Sequence, residues 1–241
     1  MFERGIAIVA LTKRGVATSI RIGRALEKTQ IRYGIYAPES LRSNDITPFN
    51  GELGELFAKL FNSFDAIIPV MAVGIVVRSI APYIASKMTD PAVVVVDDLG
   101  KYTISLLSGH IGGANRLTKM VAEEIGAIAV VTTATELLGR KSVEEIAEEN
   151  DLKIVNLGSL TPVNSAIVND RKILFATIGH ANDSRIDSAS LKLISGVDQL
   201  KEMIEAYDAG IVIASSTLPL EGLTKPVALL IPRLTHPPSN D

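Results

Sequence analysis

The densest chemistry in this sequence is the run Ser108-Gly-His-Ile-Gly-Gly-Ala-Asn115. It joins an apolar β-rich segment, Tyr102–Leu107, to a helical one in which Ala114, Leu117, Val121, Ala122 and Ile125 share a face. Glycines there let backbone approach a ligand, and amides at a helix N-terminus favour an anion. His110 adds a group that exchanges protons near neutrality. It is one of three histidines, and His180 and His236 lie far off in sequence. The bland alternative is that Gly109, Gly112 and Gly113 only make a tight turn capped by His110.

Arg78 lies within the apolar run Val73–Ile84. A charge in such a segment needs a partner or water. It is either a fork for a ligand carboxylate or one half of an internal ion pair with Asp90, Asp97 or Asp98. Lys87 closes the same segment, and Asp90 beside Pro91 reads as a solvated turn. Thr132, Thr133 and Thr135 follow a strand, where hydroxyls bind a polar ligand or cap the next helix. Lys13, Arg14 and Gly15 follow the first strand and are expected at the corresponding edge of the same crevice. The sequence has no G-x-S-x-G elbow, Walker A, G-x-G-x-x-G or H-E-x-x-H.

These residues must be positioned by alternating strands and helices. Ile6–Leu11, Ile31–Tyr36 and Ala66–Pro69 read as strands, with helices over Val16–Lys28 and Gly51–Phe61 between them. That rhythm predicts a parallel sheet with helices on both faces. Met71–Ile80 is apolar almost all round and predicts a buried helix. Ala92–Val96 and Tyr102–Leu107 predict a hairpin, which makes the sheet mixed. The fold class is therefore α/β: a three-layer α/β/α domain with a mostly parallel, mixed sheet over residues 1–136, then a smaller α/β unit over 137–232. The second unit is expected to carry a helix over Lys141–Glu149, strands at Lys153–Val155 and Ile173–Ile178, a helix over Val197–Ala206, and strands at Gly210–Ala214 and Val227–Ile231. Residues 233–241, with adjacent prolines, read as a disordered tail.

The chain has 241 residues, 47% hydrophobic and 21% charged, with a formal net charge of −3. That balance suits a soluble globular protein and argues against a general nucleic-acid or anionic-membrane surface. With no cysteine, disulfides and thiolate metal sites are excluded. The start of the sequence does not read as a signal peptide, and Arg78 and Pro82 interrupt the most apolar stretch, Ala66–Ile84. The default expectation is a cytoplasmic protein.

Four segments form an ordered set: Met71-Ala-Val-Gly-Ile-Val-Val-Arg-Ser-Ile-Ala-Pro82, Lys87-Met-Thr-Asp-Pro-Ala-Val-Val-Val-Val-Asp97, Ile104-Ser-Leu-Leu-Ser-Gly-His-Ile-Gly-Gly-Ala-Asn115 and Val131-Thr-Thr-Ala-Thr135. Together with Leu11-Thr-Lys-Arg-Gly15, this set resembles the cobalt-precorrin-5A hydrolase family of anaerobic cobalamin (vitamin B12) biosynthesis. Residues 137–232 resemble that family's middle region less specifically. Glu136 stands where the family pattern has aspartate. The chain stops near Pro232, whereas the family usually continues into a C-terminal domain of about a hundred residues.

The resemblance implies a hydrolase that opens a lactone, releases acetaldehyde and leaves cobalt-precorrin-5B. It implies His110 as base or as axial cobalt contact, and the Gly112 and Gly113 amides as oxyanion donors. Substrate would be held by Arg78, Lys87, Ser108, Gly109, Asn115, Arg116, Thr132 and Thr133. Arg78, Lys87 and Arg116 are expected to face one cleft with the glycine loop. Cobalt arrives with the substrate, so no protein-bound cofactor or metal is expected. The implied partners are the cobalt-bearing tetrapyrrole and a separate C-terminal-domain protein, with a homo-oligomer left open. Two other readings stand beside this one: a non-catalytic tetrapyrrole-binding or scaffolding subunit, and a Rossmann-like domain binding a nucleotide phosphate at Gly109–Gly113.

Overall fold

A computed structural model describes residues 2–179 and 191–233. His180, His236 and the tail after Arg233 lie outside the described residues. The chain divides into two compact units, Met1–Thr133 and Ala134–Asp241.

The first unit runs β1 (Ile6–Ala10), α1 (Lys13–Lys28), β2 (Tyr33–Pro38), β3 (Ile46–Phe49), α2 (Leu53–Ser63), β4 (Ala66–Val70), α3 (Val73–Ile80), β5 (Ala92–Val96), β6 (Tyr102–Leu107), α4 (Ala114–Ile125) and β7 (Ile128–Val130). Its seven strands form one sheet in the order β3-β2-β1-β4-β5-β6-β7. The pairs from β3 through β5 are parallel, β5 and β6 are antiparallel, and β6 and β7 are parallel to each other. This is the mixed α/β sheet that the periodicity requires. β1, β4 and β5 are apolar runs with every residue buried, as strands covered on both faces must be.

Two cores flank the sheet. On one face α1 and α4 bury Ile22, Leu26, Leu117, Val121 and Ile125 against Ile8, Ile68 and Val94. On the other, α2 and α3 bury Leu56, Phe57, Leu60, Val76 and Ile80 against Val9, Ile67, Val93 and Val95.

Three features depart from the sequence reading. β3 was not expected; its Pro48 suits an edge strand, where no ladder bond is lost on the open side. α3 is not buried all round: only Val76 and Ile80 are covered, while Ile75 and Val77 are exposed. Glycine loop and first turn also fall at opposite edges of the sheet. β6 and β7 run against β1, so the loop after β6 and Thr132–Thr133 after β7 lie where β1, β4 and β5 begin. Lys13–Gly15 lie where β1 ends, so the single crevice expected from sequence does not form.

The second unit runs α5 (Ala134–Leu137), α6 (Val143–Glu149), β8 (Leu152–Ile154), α7 (Leu160–Val168), β9 (Ile173–Ile178), β10 (Lys192–Ile194), α8 (Val197–Ile204), β11 (Ala209–Ala214) and β12 (Val227–Pro232). Its five-stranded sheet has the order β10-β9-β11-β12-β8, parallel except for β8. α6 starts with a capping box, Ser142 with Glu145. α7 and β10 were not anticipated; α7 carries little amphipathic pattern.

Candidate functional site

The loop after β6 is a backbone knot held by Asn115. Asn115 is buried; its Oδ1 accepts from Ser105 Oγ at 2.7 Å, and its Nδ2 donates to Thr133 Oγ1 at 3.0 Å. One side chain thus ties β6, α4 and the end of β7 together. Ser108, at φ 57°, is buried and donates from Oγ to the Asp90 carbonyl at 3.0 Å. Asp90 is not a solvated turn residue: it is buried and accepts from the amides of Ala85 and Ser86.

The glycines have steric reasons. A Cβ on Gly112 would lie 2.5 Å from Ser108 Cβ and 2.8 Å from Ser108 O. One on Gly109 would lie 2.8 Å from Asn115 Oδ1. Gly113 sits at φ 80° as the N-cap of α4.

The loop also consumes most of the amides expected to bind an anion. Gly113 N–H donates to His110 O at 3.0 Å, Ala114 N–H to Ser108 O at 3.1 Å and Asn115 N–H to Gly109 O at 3.0 Å. Gly113 is therefore no oxyanion donor. Gly112 N–H forms no hydrogen bond among the described residues and is the donor left to that role. Gly109, His110, Ile111 and Gly112 are half-buried, so the loop is not sealed beneath other elements.

The structure brings Ser108, Gly109, His110, Gly112, Gly113, Asn115 and Thr133 together. Thr132 is exposed beside them, and Lys87 is exposed on the segment that leads to Asp90. Arg78 and Arg116 are both exposed, but they ride on α3 and α4, which cover opposite faces of the sheet. They do not share a cleft. Arg78 Nη1 donates to the Gly74 carbonyl one turn back at 2.9 Å, and it makes no ion pair with Asp90, Asp97 or Asp98.

At the opposite edge, strand order reverses between β1 and β4, the position where open α/β sheets place ligands. Sequence reasoning missed Asp98 there. Its Oδ2 accepts from Thr12 Oγ1 at 2.9 Å and its carbonyl from Thr18 Oγ1 at 2.8 Å. Thr12 caps α1 by accepting from Gly15 N–H at 2.9 Å. A Cβ on Gly15 would stand 2.9 Å from Asp98 Oδ1, a buried oxygen with no hydrogen-bond partner. The chain's own carboxylate therefore occupies the positive end of α1. Among the described residues, no group of three or more His, Asp or Glu side chains is gathered to hold a metal ion. No described helix is long and apolar enough to cross a membrane.

Residues 55–136 match the family model described as cobalamin synthesis G N-terminal. The chain is 38% identical over 173 residues to a cobalt-precorrin-5A hydrolase of Priestia megaterium, covering 71% of this chain and 46% of that protein. It is 36% identical over 169 residues to a cobalt-precorrin-5A hydrolase of Salmonella typhimurium, covering 70% and 47%. The chain thus spans about half the length of the curated relatives it matches. Its fold is similar to the crystal structure of a cobalamin biosynthesis protein G homolog from Sulfolobus solfataricus, with a TM-score of 0.55 and 23% identity over 96% of this chain and 61% of that one. By sequence, the chain is similar to cobalt-precorrin-5A hydrolases over about 70% of its own length, and residues 55–136 carry the cobalamin synthesis G N-terminal match.

Proposed function

We propose that this chain acts in the hydrolysis of cobalt-precorrin-5A, opening its lactone with loss of acetaldehyde. The observation that carries the reading is the half-exposed His110 beside the unpaired Gly112 N–H, on a loop that Asn115 and Ser108 hold rigid. Lactone hydrolysis needs a proton acceptor for water and a donor aimed at the developing oxyanion. His110 takes the proton from water as its oxygen bonds to the lactone carbonyl carbon, and Gly112 N–H faces the oxyanion. Collapse breaks the ring carbon–oxygen bond, and the proton held by His110 passes to the departing oxygen, which becomes a hydroxyl. Loss of that hydroxyl's proton then expels acetaldehyde, and the electron pair of the broken carbon–carbon bond passes to the macrocycle. Cobalt is part of the substrate in this reading.

The test is acetaldehyde release from cobalt-precorrin-5A, by the chain alone and with the C-terminal region of a full-length relative added. His110→Ala is expected to lower turnover by roughly 10²–10⁴ while the circular dichroism spectrum stays native. Near-normal release by the folded variant removes His110 as base. A second reading, a tetrapyrrole-binding subunit without activity, is favoured by the engagement of Gly113, Ala114 and Asn115 amides within the loop. It predicts binding without release in both forms of the assay.

A further inference from the structure

The sheet of the first unit is covered unevenly. On the face where α2 and α3 pack, they bury residues of β1, β4 and β5. The helix packed on β6 and β7 is α4, and it lies on the other face. Pairing of Val95 with Ile104 puts Ile104 on the α2–α3 face, and the two-residue period puts Tyr102 there too. Tyr102 pairs with Ile128 and Ile104 with Val130, so those two share the face. Tyr102 is 48% exposed and Ile128 61%; Ile104, Leu106 and Val130 are only half-buried. The right-handed sense of β-α-β crossovers, with Val76 and Ile80 turned inward, sets Val77 on the β5–β6 side of α3 and Ile75 on the α2 side. Val77 is 44% exposed. The result is an open apolar shelf bounded by the flank of a helix.

The exposed charged residues next to it in sequence are cationic. Lys101 precedes Tyr102, Arg78 follows Val77, and both are exposed. The neighbouring acids are drawn into the fold, Asp98 by Thr12 Oγ1 at 2.9 Å and two others by backbone. Asp97 accepts from the amides of Leu99, Lys101 and Tyr102 at 2.7–2.9 Å, and Asp90 from those of Ala85 and Ser86. β6 then runs directly into Ser108–Gly113, so the shelf ends at the His110 loop.

We propose that this shelf binds one flat face of the tetrapyrrole, with the ring on Tyr102, Ile104, Ile128 and Val130 and the carboxylate arms toward Arg78 and Lys101. A broad apolar ring with anionic arms matches an open apolar sheet face that has cations beside it. The identity of the ligand rests on the function proposed above; the shelf and its charge do not.

The probe is cobyrinic acid, a cobalt corrinoid polycarboxylate, titrated into the whole chain and followed by its visible absorption. Ile128→Glu and Tyr102→Glu are each expected to weaken the Kd about tenfold or more. Ile75→Glu on the other flank of α3 and Leu193→Glu in the second unit are expected to leave it unchanged. Unchanged affinity in natively folded Ile128→Glu and Tyr102→Glu overturns the proposal, as does absence of binding by the unsubstituted chain. A dimer that Ile128→Glu abolishes while corrinoid affinity stays the same also overturns it, and makes the shelf an interface between copies. Loss of binding in the shelf variants of a chain that never releases acetaldehyde supports the shelf and rejects the hydrolase reading. Equal turnover and binding in all variants does the reverse.

Discussion

Asn115 and Ser108 brace the loop that carries His110 and Gly112. Asn115→Ala removes an acceptor from Ser105 and a donor to Thr133 in a buried setting. Leaving polar groups unpaired there should cost about 1–3 kcal/mol. Gly112→Ala forces a methyl against Ser108 backbone, which cannot swing aside, and should cost a similar ~1–3 kcal/mol. Both losses are measured as shifts in the urea midpoint. His110→Ala, at a half-exposed position, should stay within about 0.5 kcal/mol of the parent protein. If Asn115→Ala leaves the midpoint unmoved, the bracket it forms between β6, α4 and β7 contributes nothing to stability.

At the scale of elements, two turns lend themselves to measurement. Asp97 organises the β5–β6 turn by accepting three backbone amides, so Asp97→Ala should cost about 1–2 kcal/mol and speed hydrogen exchange at the Tyr102 amide. Unchanged exchange at Tyr102 would count against that role. Where α1 meets β2, Tyr33 donates its hydroxyl to Glu27 Oε1 at 2.6 Å. That bond to the carboxylate, aided by burial and the carboxylate's charge, pushes the phenol from 10.0 up to about 12. A raised folded value means the contribution is present at neutral pH and is lost as pH rises from about 10 through about 12. In a tyrosinate absorbance titration, Glu27→Gln should return Tyr33 toward the ordinary value. A Tyr33 that ionises with the exposed tyrosines would dismiss the latch.

Much of this architecture was legible in advance. β1, β5 and α4 announce themselves through fully apolar runs or a clean helical stripe, and Asp97–Gly100 marks the hairpin that makes the sheet mixed. Pro48 hid β3, and the weak stripe of α7 hid that helix. The glycine loop was legible as a place but not as a hydrogen-bond pattern, because no spacing rule says that Gly113 donates to His110. The shelf was illegible for a deeper reason. Tyr102, Ile104 and Ile128 show the same apolar alternation whether a helix covers them or not, and coverage depends on strand order. Reversal of β6 was the fact that separated Lys13–Gly15 from Thr132–Thr133.

The largest scale is the unit. Residues 2–133 hold a complete seven-stranded sheet, helices on both faces and two cores of their own. A domain of that size buries about two thirds of the surface its unfolded chain exposes, enough for independent stability. All residues of the proposed shelf, the His110 loop and the Asp98 turn lie within it. A fragment of residues 1–133 should therefore fold by itself, with one cooperative thermal transition in circular dichroism. It should bind cobyrinic acid within about threefold of the whole chain, a difference under 1 kcal/mol. The outcome against this is a fragment that melts without cooperativity. A fragment that folds but binds more than about tenfold more weakly would show that residues beyond Thr133 supply part of the affinity.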